Sequence, residues 1–119
     1  MGAEFDINKE NKILYLIYVG EVDYEERIQI RKKTIKHLKE KRFKKLFVDT
    51  TKCTFNMSIR EYFELVFRAE ENEIENDVKI AVFIKENDVN NEFMTRTIFN
   101  RGLIIKAFTT QNDALKWLS

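Results

Sequence analysis

Residues 3–9 alternate loosely between apolar and polar types. Residues 12–22, Lys-Ile-Leu-Tyr-Leu-Ile-Tyr-Val-Gly-Glu-Val, are dense in β-branched and aromatic side chains, and Lys9-Glu10-Asn11-Lys12 is polar between the two stretches. This pattern predicts an antiparallel hairpin. Asp23 followed by Glu26 fits an N-cap with an acidic residue three positions on, and Tyr24, Ile28, Ile35 and Leu38 then recur at helical spacing to about Arg42. Leu46-Phe47-Val48, ending in Asp49-Thr50-Thr51, is too short for a helix and reads as a central strand. Ser58-Ile59-Arg60-Glu61 is a capping box with Met57 and Tyr62 placed as a hydrophobic staple. The helix it opens is expected to run to about Ile74, with Ile59, Tyr62, Phe63, Val66 and Ile74 along its buried face and Leu65 and Phe67 beyond that stripe.

Val78 to Ile84 is a further strand, and Asn and Asp residues around 87–91 can cap a third helix that Gly102 stops. Leu103 to Phe108 makes the last strand, and Thr110 with Asp113 caps a short closing helix containing Trp117 and Leu118. Strands alternating with helices, apolar on both sides in the middle of the chain, call for an α/β fold. The expectation is one domain over residues 1–119. It has a five-stranded, mostly parallel sheet with an antiparallel first edge strand and about four helices, with Phe47, Val48, Ile80, Val82, Phe83, Ile104 and Ile105 in central strands.

Composition changes this picture little. The 119 residues are 44% hydrophobic and 34% charged, which suits a single globular domain. No apolar run is long enough to cross a bilayer, and no signal segment opens the chain, so a cytoplasmic location without membrane insertion is expected. One cysteine, Cys53, and one histidine, His37, exclude a disulfide scaffold and the zinc patterns, and no metal or cofactor is expected. The formal net charge is +1, too balanced for a dedicated nucleic-acid binder. Residues 1–60 hold 14 basic and 9 acidic residues, whereas residues 61–119 hold 7 and 11, so the chain is dipolar. The run from Arg27 to Lys45 has ten basic residues and one acid, Glu40, and reads as a solvated helix face because Lys32, Lys33, Lys36 and Lys39 lie opposite Ile28 and Leu38. A homodimer follows as a hypothesis if the basic first helix of one copy meets the acidic second helix of another.

The element order at this length resembles the STAS domain and the wider SpoIIAA-like superfamily. The resemblance rests on the hairpin closing in Val19-Gly20-Glu21-Val22, the middle strand ending in Val48-Asp49, the loop to the capped helix at Ser58, and the terminal Asp113-Ala114-Leu115-Lys116-Trp117-Leu118. It implies a sheet of sequential strand order and a non-catalytic regulatory or protein-interaction module. The antagonist branch carries an Asp-Ser-Ser-Gly-type turn whose serine is phosphorylated by the partner kinase. Here that turn reads Asn56-Met57-Ser58-Ile59-Arg60, so Ser58 alone matches. A second branch resembles Sec14-like lipid-transfer domains and lacks the motif, which makes a carrier or sensor of an apolar small molecule the alternative.

Chemistry-bearing residues are few. Ser58 is a candidate phospho-acceptor, although the capping box gives it a structural role first. Asp49 at the carboxyl end of a strand stands where α/β sheets place ligand contacts, yet a single carboxylate suits ordering the next loop through its N–H groups. Cys53 and His37 lack a spacing that suggests a catalytic pair, and no nucleophile elbow or phosphate-binding loop is present, so no enzyme is expected. The candidate partner surface comprises Asp49, Thr51, Phe55, Met57, Arg60, Glu64 and Phe67, an adaptable loop beside a rigid helix edge. Ten Phe, four Tyr and one Trp exceed the needs of a minimal core, which points to the same region.

Overall fold

The computed structural model describes residues 2–71 and 74–119, with the side chains of 68–71 left aside. The chain runs β1 (Ala3–Asn8), β2 (Ile13–Tyr18), β3 (Gly20–Asp23), α1 (Tyr24–Lys41), β4 (Lys45–Asp49) and β5 (Cys53–Asn56). It continues through α2 (Ile59–Glu71), β6 (Lys79–Phe83), α3 (Val89–Asn100), β7 (Ile104–Phe108) and α4 (Gln111–Leu118). The main sheet has the sequential order β1-β2-β4-β6-β7, antiparallel at β1-β2 and parallel elsewhere, as the alternation of strands and helices predicts.

The predicted second strand is in fact two. The run from Lys12 to Val22 has β-type residues throughout, but Gly20 takes φ 77, a left-handed conformation that breaks the ladder and turns the chain out of the sheet. The released β3 pairs in parallel with β5, Gly20 opposite Cys53 and Asp23 opposite Asn56, in a separate two-stranded ribbon. Consequently the stretch from Asp49 to Ser58, read as an adaptable loop, is half strand. Ile104 and Ile105 lie in β7 at the sheet edge and not in a central strand, and Ile104 is exposed.

The central strands alternate strictly. Leu14, Leu16, Leu46, Val48, Ile80 and Val82 face a core shared with α1, α2 and α3, whereas Ile13, Phe47 and Ala81 face Ala114 and Leu118 of α4. One short helix cannot cover a whole sheet face, and aromatic rings fill the remainder. Tyr15 packs on Phe47 at 5.4 Å, Phe47 on Phe83 at 6.3 Å, and Phe108 on Trp117 at 5.6 Å. Much of the aromatic excess is therefore structural. Lys79 Nζ crosses over the Trp117 ring and donates to the Trp117 carbonyl at 2.7 Å, tying β6 to the end of α4.

The caps act as the sequence predicts at three helices. Asp23 and Glu26 exchange both bonds of a capping box, Asp88 caps α3 through the Asn91 N–H, and Thr110 caps α4 through the Asp113 N–H. The second helix ends at Glu71, so Ile74 lies outside it. Among its described side chains Tyr62, Leu65 and Val66 are buried, while Ile59 and Phe63, assigned to the buried face from spacing, point to solvent. The predicted stripe is rotated by about one residue, because a helix with aromatics on two sides offers two apolar arcs and spacing alone does not choose between them.

Leu118 is completely buried beneath the sheet. Leu118→Ala is expected to lower unfolding stability by about 2–5 kcal/mol in urea denaturation. Val89→Ala, at an exposed position, should change it by less than about 0.5 kcal/mol. A Leu118→Ala loss below about 1 kcal/mol would show that α4 does not seal the second face.

Candidate functional site

The parallel strands β4 and β6 deliver the chain to one end of the sheet, where the β4–β5 turn, the ribbon and the start of α2 converge. Asp49 sits there, but it is buried. Its Oδ1 accepts from the Thr51 N–H at 2.8 Å and from the Thr51 hydroxyl at 2.6 Å, so it shapes the turn from beneath and offers no surface to a partner. Thr50 donates both its N–H and its hydroxyl to the Phe83 carbonyl, and Lys85 Nζ donates to the Cys53 carbonyl at 3.1 Å. These bonds pin the segment that the sequence left adaptable.

Ser58 completes the capping box. Its hydroxyl accepts from the Glu61 N–H at 3.2 Å and its own N–H donates to Glu61 Oε1 at 2.8 Å, while the side chain stays exposed. Met57 and Tyr62, the two halves of the expected staple, both approach Arg27, the first residue of the basic run. Arg27 is only 4% exposed. Its guanidinium carbon lies 3.8 Å from the centre of the Phe55 ring, 5.5 Å from Tyr18 and 5.9 Å from Tyr62. Nη1 donates to Asn91 Oδ1 at 3.2 Å and approaches Met57 Sδ at 4.0 Å. Phe55 and Met57 of the predicted surface are thus half-buried and turned inward onto a cation. Arg27 was grouped with a solvated basic run; the signal that finds it is its place three residues after Tyr24, on the inward arc of α1.

The remaining predicted surface residues lie on α2. Arg60 and Glu64 form a loose exposed pair at 3.8 Å, and Phe67 is 57% exposed. With it stand Ile59 and Phe63, at successive four-residue steps, and Val89 and Phe93 on α3. The Phe63 and Phe93 rings meet edge to face at 5.7 Å, joining the two helices into one apolar strip, and the Arg101 guanidinium lies 5.2 Å from the Phe67 ring. Sequence reasoning named Phe67 and missed the other four.

His37 and Cys53 are not brought together as a pair. His37 stacks on Phe5 at 4.8 Å on the flank of α1, whereas Cys53 is buried in β5 with its thiol donating to the Thr50 carbonyl. Burial pushes the Cys53 thiol up to about 11, against the opposing pull of Arg27 and Lys85, so the nucleophilic thiolate is suppressed. Among the described residues no cluster of His, Cys, Asp and Glu has the make-up of a metal site, and no helix is long and apolar enough to cross a membrane.

No protein-family model matches the chain, and no curated protein matches it in sequence. Solved structures do. An uncharacterized DUF3478-family protein with a SpoIIAA-like fold from Shewanella loihica PV-4 is similar over 98% of this chain and 92% of its own, at 18% identity and a TM-score of 0.65. The anti-sigma factor antagonist SpoIIAA in its unphosphorylated form matches at 14% identity and 0.60, covering 98% of this chain and 96% of its own. The Bacillus cell fate determinant SpoIIAA in its phosphorylated form matches at 12% and 0.62, covering 98% and 99%. With the strand order, the antiparallel first edge and the four helices, these matches show that the chain has the SpoIIAA-like α/β fold.

Proposed function

We propose that the protein is a non-catalytic regulatory module that binds a protein partner through the strip formed by Ile59, Phe63, Phe67, Val89 and Phe93. The observation that carries this reading is the exposure of these five residues in a continuous line across α2 and α3, bridged by the Phe63–Phe93 contact. Single exposed apolar residues are ordinary, but a contiguous row at helical spacing on two adjacent helices is the pattern of an interaction surface. Its shape suits an amphipathic helix of the partner, with apolar residues meeting the row and polar ones meeting Arg60, Glu64 and Arg101 at the margin. Each Phe that a partner covers contributes about 1.5–3 kcal/mol. SpoIIAA, whose fold this chain shares, is an anti-sigma factor antagonist, which supports a regulatory reading.

Ser58 stands at the end of this strip, next to Ile59. A phosphate on its hydroxyl would place negative charge at the N-terminus of α2, where the helix dipole favours it, and would alter the electrostatics that a docking partner meets. The capping role is separable from that switch. Ser58→Ala should lose about 1 kcal/mol of stability in denaturant titration, and Ser58→Asp, also a good cap, should lose almost none. An undiminished stability in Ser58→Ala would remove the cap from the account.

The absence of turnover has its own check. Iodoacetamide at pH 8 should leave Cys53 of the folded protein unmodified and label it fully in denaturant, because the folded state keeps the thiol protonated well above its ordinary range. Rapid labelling of the native protein would identify a reactive thiol and reopen a catalytic reading.

Docking is tested with a photo-crosslinking residue placed at Phe67 in the native cell, and at Lys32 on the exposed face of α1 as control. A discrete adduct is expected from position 67 alone and should be lost when Phe63→Asp is added, in a variant whose melting curve is unchanged. Equal yields from both positions would sink the proposal. Sedimentation at low and high salt assigns the partner, since an adduct of twice the chain's mass with salt-sensitive self-association identifies a second copy.

A further inference from the structure

Arg27 and Arg31 lie one turn apart on the inward face of α1. Neither pairs with a carboxylate among the described residues. Arg31 Nη1 donates to the Leu65 carbonyl at 2.9 Å, and the nearest acidic relay to Arg27 is indirect, through Asn91, whose Nδ2 donates to Asp88 at 2.7 Å. Burial, with the like charge of Arg27 beside it, pulls the Arg31 pKa down to about 10. Arg27 is buried against ring faces and Asn91 and Arg31 is half-buried, so a desolvated positive charge stands here without a carboxylate among the described residues.

Both side chains line a cavity of about 80 Å³ whose other walls are largely apolar, among them Leu16, Val48, Val82 and Met94. Thr34 also lines it, but its hydroxyl is committed to the Ile30 carbonyl at 2.8 Å. A second cavity, of about 370 Å³, lies towards the C-terminal end of α1 between Leu38, Phe43 and Val78, with exposed Lys39, Arg42 and Lys44 at its rim. Ile35 and Ile74 line both, so the two cavities adjoin at these residues. From Arg31 to Leu38 the helix rises about 10 Å, and the outer cavity alone is within the size range of small-molecule sites, which together fit an unbranched chain of about eight to ten carbons.

We propose that this channel binds a medium-chain alkyl carboxylate, its carboxylate on Arg31 and Arg27 and its chain running between Ile35 and Ile74 into the outer cavity. The charge decides the class: a neutral lipid or an alkane would add no counter-charge where the described residues supply no carboxylate, and a free inorganic anion would leave the apolar walls empty. A guanidinium carries five N–H donors and the bond described for Arg31 uses only Nη1, so donors remain for a carboxylate without breaking the tie to Leu65. Lys39, Arg42 and Lys44 outnumber Glu75 at this rim and give it a net positive character, with Lys44 engaged by Glu75 and Asp77. This site is separate from the α2–α3 strip and does not depend on the docking reading.

Sodium decanoate, below its micelle concentration, is the probe, with decanol and acetate as controls in calorimetric titration and thermal melts. Saturable binding of one decanoate per chain with a raised melting temperature is expected, with decanol and acetate each at least tenfold weaker. Arg31→Gln should lose at least tenfold for decanoate and leave decanol unchanged, Arg31→Lys should retain part of the decanoate affinity, and Ile35→Trp should weaken decanoate by blocking the passage. Phe63→Asp should leave decanoate binding intact, which separates this site from the docking strip. Equal binding of decanol and decanoate, an Arg31→Gln variant that folds and binds decanoate normally, or no saturable binding of decanoate would each overturn the assignment.

Discussion

A buried guanidinium that meets no carboxylate among the described residues holds together the end of the fold where β5, α2 and α3 converge on α1. Arg27 reaches from α1 to the ring of Phe55 in β5, the ring of Tyr62 in α2 and the amide of Asn91 in α3, so that four elements distant in sequence share one charge. Ring faces and an amide oxygen stabilise a desolvated cation by about 2 kcal/mol or more per good contact. A buried carboxylate would do so more strongly, at the cost of desolvating a second ion. The arrangement is directional. Asn91 holds Arg27 only because Asp88 orients the Asn91 amide while also capping α3, which couples the start of that helix to the interior of α1.

The two faces of the sheet solve the problem of coverage differently. Three helices close one face, and their number leaves α2 and α3 with outward arcs that no further element covers. On the other face a helix of eight residues suffices because Phe47, Phe83, Phe108 and Trp117 extend the apolar cover laterally. The aromatic residues therefore divide into those that replace a missing helix, those such as Tyr18, Phe55 and Tyr62 that pack in the three-helix core, and the exposed Phe63, Phe67, Phe93 and Phe99. Surplus apolar area is informative only after this division is made.

The fold was legible because its signals are local: three capping boxes or caps with named acidic partners, apolar strands too short for helices, and strict alternation between them. The ribbon of β3 and β5 was not, because only the φ of Gly20 separates it from β2, and a glycine within a β-rich run carries no direction. At the site, Ser58, Arg60, Glu64 and Phe67 were placed from spacing, whereas Ile59 and Phe63 were assigned inward. The difference lies in Leu65, which is completely buried and rotates the helix so that its neighbours turn out. Arg27 and Arg31 were hidden by composition. Ten basic residues between 27 and 45 read as a solvated face, and the burial of Arg27 and the tie of Arg31 to Leu65 depend on α2 and α3 arriving from later in the chain.

Helix α2 carries the strip on its outward face and turns its other side to Arg31, and the helical turn of about 3.6 residues divides its side chains between the two. Successive side chains turn by about 100°, so Tyr62, Leu65 and Val66 face inward while Ile59, Phe63 and Phe67 face out. The helix is tied to α1 by Arg27 against the Tyr62 ring and by Arg31, whose Nη1 donates to the Leu65 carbonyl. That bond constrains the backbone height of α2 against Arg31 and leaves every outward residue free to vary. A ligand acts on the strip only through a difference in how it binds two positions of the helix. Because Arg31 has donors enough for both the Leu65 carbonyl and a carboxylate, anion binding in the channel is compatible with the position of α2 seen here, and it would stabilise that position against any in which the carbonyl is withdrawn.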